Sequence, residues 1–287
     1  MINKLILGTV QFGLDYGINN KSGKPSISDV FKMLDFAKQN DINTIDTADV
    51  YGTASKIIGD YLKSNPDTFL INTKFKKSDI QIKKQLYNSL KDLNIEKVNT
   101  YFFHSFNDFL LYPELIEELE ELKNLGFINK IGISVYENDE LKKAIDCEAI
   151  DTIQLPFNLL DNFTQRGKLI EQAKLQGKEI QARSVFLQGL FFISPNELPP
   201  KLFPLKKYLK NILDITYSSQ ITVEELAIQY AINQPLIDYI VIGVDNLDQL
   251  EKNLNIAKNN LSIETIHTID SINVAETELL YPKNWRE

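Results

Sequence analysis

Cysteine and histidine are scarce in this sequence, which limits the disulfide and metal chemistry it can support. Its 287 residues include one cysteine, Cys147, and two histidines, His104 and His267. A single cysteine excludes an intramolecular disulfide, and no Cys-x-x-Cys pair or Cys/His cluster is present to hold zinc. We therefore predict no metal site; a site made only of carboxylates is the alternative that the sequence leaves open.

Long apolar runs are also missing. No segment approaches the roughly 20 consecutive apolar residues of a membrane-spanning helix, and residues 1–13 lack the pattern of a cleavable signal peptide. Hydrophobic residues still make up 43% of the chain, enough for a substantial core. We expect a soluble cytoplasmic protein whose residues 1–287 form a single domain.

Basic residues are outnumbered by acidic ones. The chain has 31 Lys and Arg against 39 Asp and Glu, a formal net charge of −8. Excess negative charge opposes binding to nucleic acid or to an anionic membrane, so we predict neither partner. The short basic stretches at 74–77 and 204–210 are interpreted as solvated faces because no wider basic field surrounds them.

Eight short apolar runs alternate with segments of helical spacing. The strand candidates are residues 4–9, 43–48, 68–75, 98–105, 128–136, 151–157, 179–186 and 238–244. Apolar residues three and four apart predict helices, most clearly at 28–40, 79–93, 114–126 and 222–233. We expect Ser28 to cap the first of these helices, Thr222 and Glu225 to form a capping box, and Gly126 to end its helix.

This alternation predicts the fold class. Strand followed by helix, repeated eight times, indicates an α/β protein with a parallel sheet closed into a single (β/α)8 TIM barrel. A doubly wound open sheet is the structural alternative. Residues 187–207, with four prolines, and the tail at 262–287 break the rhythm. We expect a C-terminal extra helix or tail, and ligand contacts from the loops at the carboxyl ends of the strands.

Four polar residues stand at or just beyond predicted strand ends. Asp46 ends the second strand, Tyr51 follows it, Lys74 ends the third and His104 ends the fourth. In a parallel barrel all four converge on one rim, the face where barrel active sites lie. We predict an ion pair between Lys74 and Asp46, because a lysine at a buried rim requires a carboxylate partner.

These four residues suit proton donation to a carbonyl oxygen. A phenol has a pKa of about 10 and is a poor acid at neutral pH unless a cation favours its ionised form. We expect Lys74 to do this for Tyr51. His104 would then be a second donor that orients the same oxygen.

Four segments resemble motifs of the aldo-keto reductase family, in matching order and spacing over nearly the whole chain. They are LGTVQFG at 7–13, IDTADVYG at 45–52, INTKF at 71–75 and YFFHS at 101–105. The resemblance implies reduction of a small aldehyde or ketone by hydride from NAD(P)H, which would lie extended across the barrel top. It makes Tyr51 the general acid, tuned by Lys74 and Asp46, with His104 positioning the substrate.

The resemblance also implies the cofactor contacts. Gly8 and Thr9 match first-strand contacts, and Ser134 and Gln154 match ligands of the carboxamide. Residues 182–190 match the loop under the pyrophosphate and residues 241–254 the adenosine-phosphate motif; within them the matched positions are Arg183, Ser184, Phe186, Gly243, Asp245, Gln249 and Asn253.

Several positions depart from the family pattern. Val135 follows Ser134 where the family often has asparagine, and Arg183 stands where an aromatic residue commonly stacks on the nicotinamide. The chain has no G-x-G-x-x-G, in keeping with a barrel rather than a Rossmann domain. Few residues precede the first strand, so we expect no N-terminal β-hairpin plug and a barrel bottom closed by side chains.

The adenosine-phosphate motif bears on the choice of cofactor. The family default is NADPH, whose 2′-phosphate normally requires Lys or Arg, but this motif offers Val244, Asp245 and Gln249. A carboxylate repels a phosphate and accepts a hydrogen bond from a free ribose hydroxyl. The sequence therefore makes NADH a serious alternative.

Two other functions and the nature of the substrate are left open. A cofactor-binding regulatory subunit with little turnover, similar to potassium-channel β subunits, would keep the same motifs. A Schiff-base aldolase would use Lys74 as its nucleophile. Candidate pocket walls are aromatic and suit an aromatic aldehyde or a sugar-like carbonyl; they are Phe106, Phe109, Phe157, Phe186, Phe191, Tyr281 and Trp285.

Overall fold

Eight parallel strands close into a barrel in the computed structural model, which describes residues 2–18, 20 and 23–285. The strands are β1 (Leu5–Gly8), β2 (Thr44–Asp46), β3 (Leu70–Phe75), β4 (Val98–Phe103), β5 (Ile128–Ser134), β6 (Thr152–Pro156), β7 (Glu179–Arg183) and β8 (Tyr239–Gly243). Each pairs with its neighbour in sequence, and β8 pairs with β1. The predicted (β/α)8 TIM barrel is confirmed, and the open sheet is excluded because a closed barrel has no edge strand.

Helices surround the strands. They are α1 (Val10–Gly13), α2 (Ile27–Gln39), α3 (Ala54–Ser64), α4 (Ile82–Leu93), α5 (Phe106–Leu111), α6 (Glu114–Asn124), α7 (Asn138–Asp146), α8 (Phe163–Leu175), α9 (Lys206–Ser219), α10 (Val223–Ile232), α11 (Leu247–Ile256) and α12 (Ile263–Asp270). The four helices predicted from spacing correspond to α2, α4, α6 and α10. No helix in the described part of the chain is long and apolar enough to cross a bilayer.

Two of the three predicted helix ends are confirmed. Thr222 and Glu225 form a reciprocal capping box at the start of α10. Gly126 follows the C-cap residue of α6 and has a φ of 82°, so it terminates that helix. Ser28 was the wrong N-cap for α2. Ser26 takes that role, accepting a hydrogen bond from the backbone N of Asp29 at 3.2 Å, because the helix begins one residue before Ser28.

The barrel interior is filled where it meets the rim. The Phe102 ring of β4 is fully buried and lies over Gly132 of β5, where an added Cβ would come within 2.4 Å of it. The same ring lies 5.7 Å from the Lys74 ammonium. The Phe102 ring therefore packs against Gly132 within the barrel and borders the Lys74 ammonium.

At the opposite end of the barrel, a lysine binds the segment before β8. Among the described residues no strand precedes β1; residues 2–4 form a short 3₁₀ turn instead. The Lys4 ammonium donates to the carbonyls of Ile237 at 2.8 Å and Gln234 at 3.1 Å, in the segment before β8. Closure of this end by side chains stays a prediction from the sequence.

Two segments are added at the rim. The loop after β7 holds 3₁₀ turns at Leu187–Phe192 and Pro200–Leu205. Beyond α12 the tail forms further turns at Thr277–Leu280 and Pro282–Asn284, and the ring of Tyr281 in this tail lies 5.8 Å from that of Tyr136, just after β5. The predicted C-terminal helix and tail are present, and they return to the rim.

Candidate active site

A buried ion pair stands at the carboxyl ends of β2 and β3. The Lys74 ammonium donates to the Asp46 carboxylate and, at 3.3 Å, to the carbonyl of Thr47. The two side chains are 2% and 4% exposed. Because water barely reaches either group, each charge depends on the other for stabilisation.

Two further residues bind Asp46. The Gln154 amide on β6 donates from Nε2 to the free carboxylate oxygen at 2.9 Å, across the barrel mouth. Thr9, just after β1, donates to the Asp46 carbonyl from its backbone N at 3.0 Å and its hydroxyl at 2.9 Å. Asp46 therefore joins β1, β2, β3 and β6, which makes it the centre of the rim.

Tyr51 lies above this pair. Its ring is 5.5 Å from the Lys74 ammonium and 5.9 Å from the His104 ring, edge to face. Its backbone packs against Gly13 so closely that an added Cβ there would lie 1.7 Å from the Tyr51 carbonyl oxygen. The glycine of the opening motif thus allows the Tyr51 turn to sit directly on α1.

The pKa of Tyr51 differs from the expectation. Burial raises it well above its ordinary value, the negative charge of Asp46 raises it further, and the positive charge of Arg183 opposes both. We expected Lys74 to lower this pKa, and that was wrong. Burial and the Asp46 carboxylate outweigh the opposing positive charge, so the phenol is protonated across the physiological pH range.

His104 is a neutral imidazole. It follows β4, with its backbone N bonded to the carbonyl of Phe75 at 2.9 Å. Burial lowers its pKa to about 3, helped by the charges of Lys74 and Arg183. Its Nδ1 is buried without a hydrogen-bond partner among the described residues.

The remaining inner positions predicted for a cofactor lie at the same rim. Gly8 pairs in register with Asp46 on one side and Gly243 on the other. Ser134 ends β5 beside Gln154 of β6 and is 5% exposed. Strand register therefore brings the predicted first-strand and carboxamide positions next to the ion pair.

The predicted adenosine-phosphate positions form a separate group at the start of α11. The side chain of Gln249 accepts from the backbone N of Asp245 at 2.8 Å and donates to its carboxylate at 3.3 Å. Asn246 caps the helix, and Asn253 is buried one turn further on. A carboxylate, rather than a cation, therefore stands before α11 in the segment that resembles the adenosine-phosphate motif.

The loop after β7 has an unusual backbone. Ser184, Leu187 and Gln188 have φ of 59°, 46° and 53°, a left-handed conformation that costs non-glycine residues about 1 kcal/mol each. The loop is held by Gln188, whose carbonyl accepts from the backbone N of Ile18 at 3.2 Å and whose amide donates to the Tyr16 hydroxyl at 2.7 Å. It thus lies across the rim toward the loop after β1.

Several buried polar atoms at the rim have no hydrogen-bond partner within the described residues. They are Gln11 Oε1, Thr47 Oγ1, His104 Nδ1 and Arg183 Nε. Gln11 lies over Gly243, where an added Cβ would come within 2.6 Å of its Oε1. Donors and acceptors left together in this way fit a ligand with amide and hydroxyl groups, such as a nicotinamide nucleotide.

Sequence reasoning missed two tyrosines at this rim. The charges of Tyr51, Tyr136 and Arg183 all act on the pKa of Tyr16, which burial raises to about 12, and the Arg183 guanidinium lies 4.1 Å from the centre of the Tyr136 ring. Tyr136 could have been found from its position two residues after Ser134. Tyr16 could not, because its contact to Gln188 joins residues far apart in sequence.

One predicted pocket wall belongs to the core. Phe157 is fully buried and stacks on Tyr230 of α10, with ring centroids 5.5 Å apart. It therefore faces the helices rather than the rim. No group of three His, Cys, Asp or Glu side chains comes together as metal ligands in the described residues.

Comparison with known proteins establishes the family. The sequence profile of the aldo/keto reductase family matches residues 4–274, so the chain belongs to this family of oxidoreductases. The uncharacterized oxidoreductase YqkF of Bacillus subtilis is 25% identical, over 94% of this chain and 96% of that protein. D-arabinose 1-dehydrogenase of Saccharomyces cerevisiae is 24% identical, over 90% of this chain and 85% of that enzyme.

Solved structures share the fold. The holo form of the aldo-keto reductase AKR11C1 from Bacillus halodurans superposes with a TM-score of 0.76 at 21% identity, covering 94% of this chain and 92% of that one. A putative aldo-keto reductase from Pseudomonas aeruginosa superposes with a TM-score of 0.67 at 21% identity, covering 88% of each chain. The resemblance to the family is confirmed.

The neutral His104 predicts how stability changes with pH. Its pKa is about 3 in the folded protein and about 6.5 in an unfolded chain. The unfolded state therefore binds the extra proton first as pH falls, and stability is lost below about pH 6.5. Between pH 7 and pH 5, we expect the free energy of unfolding in urea to fall by about 1–2 kcal/mol less for His104→Gln than for the wild type.

His267→Gln is the matched control, because this second histidine is exposed on α12. Between pH 7 and pH 5, the free energy of unfolding of His267→Gln should fall by as much as that of the wild type. An equal loss in His104→Gln as well would show that the imidazole is not held neutral by burial.

Proposed function

We propose that this protein reduces the carbonyl group of a small aldehyde or ketone to an alcohol, using a nicotinamide cofactor and Tyr51 as the acid. The observation that carries the proposal is the meeting of a protonated phenol and a neutral imidazole above the buried Lys74–Asp46 pair. Membership of an oxidoreductase family supports it.

Tyr51 holds the proton that the reaction needs. Its raised pKa keeps the hydroxyl protonated at neutral pH. The oxygen of a carbonyl under reduction becomes an alkoxide, which is a stronger base than a phenolate, so the proton passes from Tyr51 to it even with the pKa raised. A buried donor needs little reorganisation when this charge develops.

The other three residues position the reacting oxygen and the acid. His104, as a neutral imidazole, offers one N–H to the same oxygen from the far side of Tyr51. Lys74 and Asp46 form a fixed neutral pair below the phenol, and the ammonium faces the Tyr51 ring. This arrangement favours a carbonyl oxygen bound between Tyr51 and His104.

The cofactor would lie across the rim that these residues share. When bound, a nicotinamide supplies hydride to the carbonyl carbon. Ser134 and Gln154 would hold its carboxamide, and Gly8 and Thr9 would contact it from the end of β1. The other contacts carried over from the family are Ser184, Phe186, Gly243, Asp245, Gln249 and Asn253; Arg183 is set apart because its guanidinium already lies on the Tyr136 ring. The unpartnered polar atoms at the rim support this placement.

We infer that NADH competes with NADPH at this site and is favoured by Asp245. The carboxylate of Asp245 stands at the start of α11, held by Gln249. It would repel a 2′-phosphate and accept from a ribose hydroxyl. NADPH is the usual cofactor of the family, so this residue separates the chain from that default.

A sugar-like carbonyl is the substrate class that the relatives favour. The yeast relative is named as a dehydrogenase of D-arabinose, and tyrosines surround the rim here. A single domain over 1–287, the cytoplasmic location and the absence of a nucleic-acid partner stay predictions from the sequence.

The two alternatives have less support. A Schiff-base aldolase needs an unprotonated, accessible lysine, whereas Lys74 is 2% exposed and paired with Asp46. A regulatory subunit would need no proton donor in place, whereas Tyr51 and His104 lie together.

Tyr51→Phe is expected to keep cofactor affinity and to lower turnover of aldehydes by about a hundredfold or more, because the proton donor is lost and the ring remains. The measurement is oxidation of NADH and NADPH with a panel of aldehydes, together with cofactor titration by fluorescence. Tyr112→Phe, after α5, is the control and should keep the wild-type rate. Cofactor binding without reduction of any aldehyde by the wild type would favour the regulatory subunit.

Asp245→Asn is expected to tighten NADPH about fivefold and to leave NADH nearly unchanged. Two unit charges about 4 Å apart in water interact by about 1 kcal/mol, and removing one of them yields this factor. The check is the dissociation constant of each cofactor. Glu251, further along α11, is exposed, and Glu251→Gln should leave the ratio of the NADPH and NADH dissociation constants unchanged. An unchanged ratio in Asp245→Asn would place the 2′-position elsewhere.

A further inference from the structure

Arg183 reaches over the mouth of the barrel. It is the last residue of β7, and its Nη2 donates to the carbonyl of Val135, just after β5, at 3.1 Å. Because β6 lies between these two strands, the side chain crosses its carboxyl end. Its charge acts on the pKa of both Tyr51 and His104, so the guanidinium faces the proposed reaction site.

The flat face of this guanidinium is occupied and one of its edges is not. The face lies 4.1 Å from the centre of the Tyr136 ring, and Nη1 donates to the Ser184 hydroxyl at 3.3 Å. Its Nε is buried with no partner in the described residues. Stacking fixes the plane of the group, and the unpartnered N–H remains for a ligand.

Arg183 has no carboxylate partner among the described residues, although two buried carboxylates lie at this rim. Asp46 is bound by Lys74 and Gln154. Asp161 is bound by one edge of the Arg166 guanidinium, through Nε at 2.6 Å and Nη2 at 2.8 Å. Arg183 acts on Asp161 through its charge alone, so a direct, hydrogen-bonded anionic partner for the guanidinium is left to a ligand.

A second cation contacts the same aromatic ring. The Lys283 ammonium in the C-terminal tail lies 4.9 Å from the centre of the Tyr136 ring. Its ion pair with Glu137 is long, at 3.6 Å, and both side chains are about half exposed, at 46% and 53%. Two cations therefore contact the Tyr136 ring, while the Glu140 carboxylate accepts from the Tyr136 backbone N at 2.6 Å on the other side of the residue.

We propose that Arg183 binds an anionic group carried by the carbonyl substrate, either a carboxylate or a phosphate. The inference rests on the proposed reductase function and adds the substrate class: an aldehyde or ketone, sugar-like or aromatic, with a negatively charged substituent. A guanidinium edge matches the oxygens of both anions, and the bond is charge-assisted. Arg183 thereby takes a specificity role at a position where the family commonly has an aromatic residue.

The test compares charged and neutral carbonyl compounds of the same shape. The carboxylate arm uses 4-carboxybenzaldehyde and its methyl ester; the phosphate arm uses glyceraldehyde 3-phosphate and glyceraldehyde. With saturating cofactor, we expect the wild type to prefer one charged probe by roughly tenfold or more in kcat/KM. Arg183→Gln should reduce this preference to less than about threefold, mostly through KM, and Arg183→Lys should retain part of it.

Lys77→Gln is the matched control. Its ammonium also lies on a tyrosine ring, 5.1 Å from the centre of Tyr112, and the substitution removes the same unit of charge from the loop after β3 instead of from β7. It should keep the wild-type preference. Equal kcat/KM for charged and neutral probes in the wild type, or an unchanged preference in Arg183→Gln, would overturn the proposal. If Arg183 instead bound a phosphate of the cofactor, Arg183→Gln would raise the KM of the cofactor and leave the substrate ratio unchanged.

A binding measurement separates this proposal from the proposed reaction. Calorimetric titration with 4-(hydroxymethyl)benzoate and its methyl ester, and with glycerol 3-phosphate and glycerol, requires no turnover. Tighter binding of one charged compound by the wild type, lost in Arg183→Gln, supports the anion site even if no aldehyde is reduced. Equal binding of the charged and neutral compounds in both pairs contradicts it.

Discussion

The buried ion pair of Lys74 and Asp46 is the interaction on which the rim depends. Both charges are nearly removed from water, and neither is tolerable there alone. The pair also fixes strands, since Thr9 binds the Asp46 carbonyl and Gln154 its second carboxylate oxygen. Residues from β1, β2, β3 and β6 are thereby joined at one carboxylate, and the turn that carries Tyr51 starts from the end of β2.

The electrostatics of the site follow from that pairing. Burial and the Asp46 carboxylate raise the pKa of Tyr51, while burial and the nearby cations lower the pKa of His104, so the phenol and the imidazole are both uncharged. Arg183 lies at the same rim without an ion pair to a carboxylate of the described residues. Proton donation and charge recognition are thus assigned to different residues: Tyr51 donates from a neutral pocket, and Arg183 meets a negative substituent of the substrate.

Much of this could be predicted from the sequence because it depends on short-range pattern. Apolar runs located all eight strands, and polar residues at strand ends located Asp46, Lys74 and His104, since parallel strands bring their carboxyl ends to one rim. Ser26 was missed although Asp29 follows three residues later, a capping pattern. The stack of Arg183 on Tyr136 and the bond from Gln188 to Tyr16 depend on side-chain directions across different strands and loops. The sign of the Tyr51 pKa shift required the depth of its burial, which no pattern encodes.

A double-mutant cycle at positions 46 and 74 tests the central claim most directly. The free energy of unfolding in urea at pH 7 would be measured for the wild type, Asp46→Asn, Lys74→Met and the double variant. Each single change should cost about 3–5 kcal/mol, because it leaves one buried charge unpaired. The double variant should be more stable than the sum of the two losses predicts, by about 2 kcal/mol or more. Losses that simply add would contradict an account in which this pair holds the rim together.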